Sequence, residues 1–375
     1  MRAIMIAWAF LWGTCGAQAQ APQPPAVAAH AFHVSDLTSG QVLAQQKADE
    51  RVEPASLTKL MSAYLVFAAM REGRLASAQQ VQVSAHARQA SGSRTFLEAG
   101  GSVSVETLLL GMVVQSGNDA CIALAEVLAG SEALFAEQMN REAARLGMLD
   151  SRFANATGLP HAQHYSTARD LALLAAALIR DFPEEYARYY TMKEFRHNGI
   201  TQMNRNRLLW LDPSVDGVKT GFTETAGYCL IASSERGGRR LLSVLLGADS
   251  DAARARESQK LLNWGYQFFD GVRLYAPGQA VKAIHVWKGA HAAVHAGFER
   301  GLVVTVPKGE AKLLAAELLT HPPVLAPVRK GDKVGVLRVA FDGRPLGEYP
   351  VVALESVSQA GILGRAWDTL RLWLK

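Results

Sequence analysis

The fold is decided by three short motifs in a fixed order, Ser56-Leu57-Thr58-Lys59, Ser116-Gly117-Asn118 and Lys219-Thr220-Gly221. Each motif alone is weak evidence, since Ser-x-x-Lys is expected about once by chance in a chain of this length. The ordered set is much more specific, because the three motifs together form one recognised catalytic pattern. We therefore expect two serines, two lysines and an asparagine, all distant in sequence, to meet at one site.

Ser56 and Lys59 have the spacing of a nucleophile and its base. Residues three apart on a helix share one face, so the two side chains are expected to lie within reach of each other. A serine hydroxyl is a weak nucleophile until an adjacent base takes its proton. Lysine can be that base where burial and a second cation lower its pKa, and Lys219 is expected to supply the second charge. In isolation, the pair would indicate only a helix-cap serine and a solvated lysine.

The second motif can serve the later steps of an acyl-transfer reaction. It is predicted to lie on a tight turn between two apolar helices, where Gly117 lets the backbone bend. The Ser116 hydroxyl can pass a proton between Lys59 and a leaving amine, and the Asn118 amide can orient the peptide bond of a substrate. Without the other motifs, the same residues would indicate a simple turn.

The third motif follows a strand-like run. Gly221 is expected to let a substrate strand approach the strand edge closely. Lys219 and Thr220 can then hold an anionic end of that substrate. The oxyanion hole is predicted to consist of the backbone N–H groups of Ser56 and Phe222.

Hydrophobic patterning predicts an α+β catalytic domain over residues 26–270, with strands at its start and end and a helical block between them. Short β-rich runs separated by Gly and Pro turns predict a small all-β sandwich over residues 271–355. Residues 356–375 are predicted to form an amphipathic helix, whose tryptophans and basic residues are typical of a helix lying on a membrane surface. The alternative is a helix docked on its own domain. The apolar stripe consists of Leu363, Ala366, Trp367, Leu370, Trp373 and Leu374.

The N-terminus has the pattern of a secretory signal peptide over residues 1–19. Arg2 precedes a short apolar run, and Ala17-Gln18-Ala19 has the small-x-small pattern of a cleavage site. Export would place the mature chain in an oxidising compartment, where Cys121 and Cys229 would be its remaining cysteines. We expect two buried thiols, with a disulfide as the alternative.

Composition argues against several other functions. The net charge is only +5, without the basic stripe of a nucleic-acid-binding protein, so no nucleic-acid partner is expected. The histidines are scattered and lack zinc-binding spacing, so we expect no metal site, and we expect no cofactor. A mildly positive charge would suit a protein that works beside an anionic membrane or polymer.

These motifs make the chain resemble low-molecular-weight penicillin-binding proteins of the D-alanyl-D-alanine carboxypeptidase type, which are serine peptidases of the transpeptidase/β-lactamase-like superfamily. The resemblance implies an antiparallel sheet with helices, and a β-sandwich that holds the site away from the membrane. The implied reaction is periplasmic removal of the terminal D-Ala from peptidoglycan pentapeptide stems. The likeness runs from about residue 31 to the C-terminus and includes the segments Tyr165–Asp170, Asn204–Asn206, Val215–Gly221 and Glu257–Gly265.

The resemblance also assigns roles to single residues. It implies that Ser56 is acylated, that Lys59 is its base, and that the second motif assists. The third motif would face the carboxylate of the substrate. Arg205 matches a site arginine of the family, and either Arg254 or Arg256 matches its carboxylate-binding arginine.

The resemblance implies partners and a location as well. Peptidoglycan stem peptides would be the substrates, and β-lactam antibiotics would be covalent inhibitors. The C-terminal helix would attach the periplasmic protein peripherally to the inner membrane. The chain departs from the family at Phe222, where some members carry His; acylation should survive, but rate and substrate preference stay open.

Other functions remain open from sequence alone. The same fold supports a serine β-lactamase or an endopeptidase that cuts peptide cross-links. A class A β-lactamase normally has Asp where Gly117 stands, and it lacks the trailing β domain. A non-catalytic cell-wall-binding protein would keep the pocket, but the intact Ser56, Lys59 and Lys219 argue against it.

Overall fold

The computed structural model describes residues 22–320 and 323–374, so the predicted signal peptide lies outside the described residues. The chain divides into two compact units. The first comprises Pro24–Val272 and Val303–Thr305. The second is built from residues 273–302, 306–320 and 323–374.

The first unit is organised around an antiparallel sheet whose strands come from both ends of its sequence. In chain order the strands are β1 (Ala31–Asp36), β2 (Gln41–Gln46), β3 (Gln80–Gln82), β4 (Ser102–Ser104), β5 (Glu194–His197), β6 (Ile200–Met203), β7 (Val215–Thr223), β8 (Gly227–Arg236) and β9 (Arg239–Ala248). The main sheet has the order β2-β1-β9-β8-β7, so β7 forms one edge. The short strands pair separately, β3 with β4 and β5 with β6.

Most helices of this unit lie between β2 and β7 in the sequence, among the short strands, and one more helix follows β9. They are α1 (Lys59–Arg71), α2 (Ala85–Arg88), α3 (Val105–Val114), α4 (Asn118–Ala129), α5 (Glu132–Leu146), α6 (Ala168–Asp181), α7 (Pro183–Tyr189), α8 (Leu208–Leu211) and α9 (Asp251–Phe268). Leu60, Ala63 and Phe67 are fully buried on α1, which explains why this helix has no polar face. Thr167 caps α6 by accepting a hydrogen bond from the Asp170 N–H.

After α9 the chain becomes β-rich. Its strands are β10 (Phe269–Tyr275), β11 (Ala280–Trp287), β12 (Ala293–Gly297), β13 (Leu302–Pro307), β14 (Leu314–Thr320), β15 (Val324–Leu325), β16 (Lys333–Phe341) and β17 (Arg344–Ala353). One sheet has the order β14-β16-β17-β12-β11-β15. The predicted fold class, a helix-and-sheet domain followed by a β-rich domain and a terminal helix, is therefore confirmed.

The terminal helix α10 (Ile362–Trp373) presents its apolar residues to solvent. The exposed fraction is 86% for Leu363, 62% for Trp367 and 84% for Trp373. Its polar residues instead contact the β-rich unit: Asp368 accepts a hydrogen bond from the Lys288 N–H at 2.6 Å, and the Arg371 guanidinium lies 5.7 Å from the Trp287 ring centre. Across the two described ranges, no helix combines the length and hydrophobicity needed to cross a membrane.

Candidate active site

The three motifs converge on one cavity of about 740 Å³ in the first unit. The first motif lies on a 3-10 turn, Ala55–Thr58, that leads into α1 at Lys59, whereas the sequence predicted one continuous helix. Side chains at i and i+3 eclipse each other in a 3-10 turn, so Ser56 and Lys59 still lie on the same side. The predicted site residues that line the cavity are Ser56, Ser116, Asn118, Arg205, Thr220, Gly221, Phe222 and Arg254.

Lys59 is buried behind the cavity and has three oxygen neighbours. Its Nζ lies 3.0 Å from Ser56 Oγ, 2.6 Å from Asn118 Oδ1 and 2.7 Å from the Thr157 carbonyl oxygen. A neutral amine has two N–H groups and one lone pair. The amide oxygen and the carbonyl oxygen can therefore accept both N–H groups, which leaves the lone pair for the Ser56 hydroxyl.

The second motif is shaped differently from the prediction. Ser116 takes the left-handed backbone conformation, with φ of 65°, while Gly117 has an ordinary φ of −61°. Gly117 is needed for space instead, because a Cβ there would lie 2.2 Å from Thr95 Oγ1. Asp119 holds the facing loop by accepting the Thr95 N–H at 2.8 Å. The turn thus packs tightly and points the Ser116 hydroxyl into the cavity.

Lys219 lies on the edge strand β7 and is buried behind Ser116. Its Nζ donates to Ser116 Oγ at 2.9 Å and to the Thr220 carbonyl oxygen at 3.0 Å. Lys219 does not line the cavity, whereas its neighbour Thr220 does. In the structure the Lys219 amine contacts the Ser116 hydroxyl, and its direct contact with a substrate carboxylate stays a prediction.

Burial lowers the pKa of both lysines. The pKa of Lys59 falls to about 8, first because burial disfavours its charged form and second because Arg205 is nearby. The pKa of Lys219 is held well below its usual value by burial, and further by Lys59, Arg205 and Arg254. Arg205 is thus a cation near Lys59, and Lys59 and Lys219 also lie close enough for the charge of Lys59 to lower the pKa of Lys219.

The predicted site arginines differ in their position and in their hydrogen-bond partners. Arg205 lines the cavity between two structural asparagines, and Asn206 fixes its segment by donating to the Gly217 carbonyl oxygen at 2.9 Å. Arg254 also lines the cavity and donates to the Gly221 carbonyl oxygen at 3.0 Å. Arg256 instead points outward and pairs with Glu257. The structure therefore places Arg254, and not Arg256, at the site.

Cys121 and Cys229 are both free and buried, as expected from their apolar surroundings in the sequence. Cys121 donates to the Ala156 carbonyl oxygen at 3.1 Å, on the segment that also holds Lys59. Burial raises the pKa of its thiol to about 11. Both side chains are therefore packing groups.

A sequence profile described as peptidase S11, D-alanyl-D-alanine carboxypeptidase, matches residues 18–250. The chain belongs to this family. A second profile, described as the C-terminal domain of penicillin-binding protein 5, matches residues 269–359 of this S11 peptidase.

Similar proteins extend the match over nearly the whole chain. The D-alanyl-D-alanine carboxypeptidase DacC of Escherichia coli (strain K12) is 43% identical over 96% of this chain and 92% of its own. The crystal structure of penicillin-binding protein 5 from Haemophilus influenzae is 35% identical with a TM-score of 0.84, covering 90% of this chain and all of that one. Penicillin-binding protein D2 from Listeria monocytogenes, solved in an ampicillin-bound form, is 33% identical with a TM-score of 0.59, covering 64% and 98%.

These matches confirm the predicted family and class of enzyme. They favour the carboxypeptidase prediction over a β-lactamase, an endopeptidase or a non-catalytic binding protein, because the family and its full-length relatives are D-alanyl-D-alanine carboxypeptidases. The roles of single residues rest on the geometry described above.

Sequence reasoning missed the groups that surround the motifs. The Thr157 carbonyl oxygen is a main-chain group, so no pattern of side chains could have predicted its contact with Lys59. Asp119 directly follows the second motif and is completely buried, which its position next to Asn118 could have suggested. Tyr228 and Asp251 also line the cavity; Tyr228 is the cross-strand partner of Phe222, a pairing that the β7–β8 hairpin sets.

Proposed function

We propose that this S11 peptidase removes the terminal D-Ala from peptidoglycan pentapeptide stems through an acyl-enzyme on Ser56. The observation that carries the proposal is the arrangement of Lys59, whose Nζ lies 3.0 Å from Ser56 Oγ while two other oxygens occupy its N–H groups. That arrangement prepares a serine to attack a carbonyl carbon.

The substrate would lie along the edge strand β7. Its terminal carboxylate meets Thr220 and Arg205, and Arg254 supports this part of the site through the Gly221 carbonyl. The scissile carbonyl then lies beside Ser56, where the N–H groups of Ser56 and Phe222 stabilise the developing oxyanion.

Acylation forms the bond from Ser56 Oγ to the carbonyl carbon and breaks the carbon–nitrogen bond to the terminal D-Ala. The serine proton passes to Lys59. The Ser116 hydroxyl gives its proton to the leaving nitrogen and takes the proton held by Lys59 in return, so both groups end acylation in their starting states. The Lys219 amine lies 2.9 Å from Ser116 Oγ. Free D-Ala departs as the amine.

Deacylation repeats the same chemistry with water. Lys59 takes a proton from water, whose oxygen attacks the acyl carbon, and returns that proton to Ser56 Oγ as the ester bond breaks. A β-lactam acylates the same oxygen, but its leaving nitrogen stays attached to the adduct, so we expect slow release. The ampicillin-bound structure of the Listeria relative supports this expectation.

The function is tested by incubating the purified protein with an N-acyl-D-Ala-D-Ala peptide and measuring free D-Ala. Wild-type protein is expected to release D-Ala, and the Ser56→Ala variant is expected to release none above the uncatalysed rate. Equal release by both proteins would contradict the acyl-enzyme. Rapid, repeated hydrolysis of penicillin would instead favour a β-lactamase.

The pH dependence of acylation follows from the pKa of Lys59, which is about 8. A general base must be neutral, so the rate should rise as the pH increases through about 8 and then level off. The check is the second-order rate constant for acylation by a labelled penicillin, measured from acid to alkaline pH. A rate constant without a rise across this range would exclude Lys59 as the base.

We also propose that the protein works in the periplasm and that α10 attaches it to the surface of the inner membrane. The apolar side chains of α10 are exposed, while Asp368 and Arg371 face the β-rich unit. A helix held by its polar side presents Trp and Leu outward, as interfacial helices do. The N-terminal signal pattern supports export.

Truncation after Ser358 tests the attachment. The full-length mature chain should bind vesicles of anionic phospholipid. The truncated protein should not bind them, because it lacks the exposed apolar area of α10. A co-sedimentation assay measures this, and release of D-Ala by the truncated protein is the control for folding. Undiminished sedimentation after truncation would contradict the anchor.

A further inference from the structure

A segment between α5 and α6, residues 153–164, forms a strap across the catalytic helix. Its two ends are joined by hydrogen bonds between Arg152 and Tyr165, at 2.8 and 3.0 Å. Two of its carbonyl oxygens face α1: that of Ala156 accepts from Ser62 Oγ at 2.7 Å, and that of Thr157 accepts from Lys59 Nζ at 2.7 Å. The strap therefore supplies one of the two acceptors that orient the base.

The strap is stiff and fits closely against the nucleophile segment. Asn155 Oδ1 accepts the N–H groups of Thr157 and Gly158 at 3.1 and 2.8 Å, and its amide donates to the Leu159 carbonyl oxygen at 2.9 Å. Gly158 has φ of 84°, and a Cβ there would lie 1.8 Å from the Ala55 carbonyl oxygen. A small movement of the strap would therefore shift the Thr157 carbonyl relative to Lys59.

His164 joins the strap to the first motif. It is 3% exposed, and its Nδ1 accepts the Ala154 N–H at 3.2 Å. Because Nδ1 is an acceptor, the ring proton lies on Nε2, which donates to Thr58 Oγ1 at 2.8 Å. Both ring nitrogens are thus used, one within the strap and one on the residue next to Lys59.

We propose that His164 is a positioning residue that fixes the strap against Thr58, so that the Thr157 carbonyl holds the Lys59 amine in the orientation for proton transfer from Ser56. The inference rests on the proposed function, because it assumes that Lys59 is the base. His164 touches neither the substrate nor the reacting atoms, and it acts through the strap.

The surroundings of His164 suit a neutral, fixed ring. The pKa of His164 is lowered to about 4, mainly by burial and to a smaller extent by the neighbouring His161 and Lys59. The Phe153 ring packs edge-on against it, with 5.6 Å between ring centres. The hydrogen-bond pattern of His164 is therefore constant over the pH range in which Lys59 titrates.

The experiment compares His164→Leu, His164→Gln and the control His161→Gln, a change at an exposed histidine of the same strap. Acylation by labelled penicillin is measured for each across pH 6 to 10, together with thermal unfolding. We expect His164→Leu to lower the acylation rate constant about 10- to 100-fold, since a displacement near 1 Å can cost about 100-fold. A looser strap lets water reach Lys59, which stabilises the charged form of the amine and raises its pKa. The pH at which the rate rises should therefore increase by roughly half a unit or more.

The conservative variant His164→Gln should stay close to wild type, because its amide can both accept from Ala154 and donate to Thr58. His161→Gln should match wild type. A wild-type rate in folded His164→Leu would overturn the proposal. A lower rate or melting temperature without a change in the pH profile would overturn it too, because a purely structural role leaves that profile in place.

Two controls keep the result interpretable. If His164→Leu fails to fold, Thr58→Val removes the same hydrogen bond from the other side, and the same change in rate and pH profile is expected. Wild type and Ser56→Ala are run in parallel. Acylation that is absent in wild type, or equal in Ser56→Ala, refutes the proposed function; normal acylation in both wild type and the folded His164→Leu variant refutes only the role of His164.

Discussion

Replacing Lys59 by methionine is expected to lower the acylation rate constant by about 10²- to 10⁴-fold, the range that a positioned general base contributes. Methionine has a similar length and suits a buried site, but it has no lone pair that accepts the Ser56 proton. It also leaves Asn118 Oδ1 and the Thr157 carbonyl oxygen without their shared donor. The measurement is acylation by labelled penicillin and release of D-Ala, on protein shown to be folded by its thermal unfolding.

Lys47→Met is the matched control, because Lys47 is an exposed lysine of the same unit that pairs with Glu50 on the surface. It should acylate at the wild-type rate. If folded Lys59→Met retained a rate within a few-fold of wild type, another group would have to be the base, and the account of the site would be wrong.

Replacing Ser116 by alanine is expected to lower the release of D-Ala from an amide substrate by about 10²-fold or more, because the leaving nitrogen loses its proton donor. The Lys219 amine, which lies 2.9 Å from Ser116 Oγ, would remain but would lose its link to the substrate. A thioester substrate separates this role from others, since a thiolate leaves without protonation. The loss should therefore be much smaller for the thioester than for the amide.

Ser102→Ala is the control for this variant, because Ser102 is an exposed serine of the same unit whose hydroxyl donates to Gln80, away from the cavity. It should leave both substrates unaffected. Equal losses for amide and thioester in Ser116→Ala would show that the hydroxyl does not serve the leaving group.

The structure brings most of the predicted site residues to one cavity, because the motifs specify their side-chain chemistry directly. The sequence did not predict the main-chain contributions. The contact of the Thr157 carbonyl with Lys59 and the close approach of Gly117 to Thr95 depend on how distant segments pack, and neither has a local signature. The contribution of Arg205 to the lowered pKa of Lys59 was not predicted for the same reason, since only the folded chain shows that Arg205 lies nearby.

The fold followed from periodicity where segments were long and apolar, as in α1 and β9. Periodicity alone does not predict the edge strand β14 (Leu314–Thr320), because its residues are all exposed or half-buried and show no clean alternation. For α10 the sequence showed which residues are apolar, but only the contacts of Asp368 and Arg371 showed which side faces the domain.

The most direct test of the account is the mass of the intact protein after brief exposure to penicillin, followed by proteolysis to locate the adduct. The account predicts one added penicillin per chain, attached within the peptide that contains Ser56, and no added mass in Ser56→Ala. An adduct on any other residue, or an unchanged mass in active wild-type protein, would contradict it.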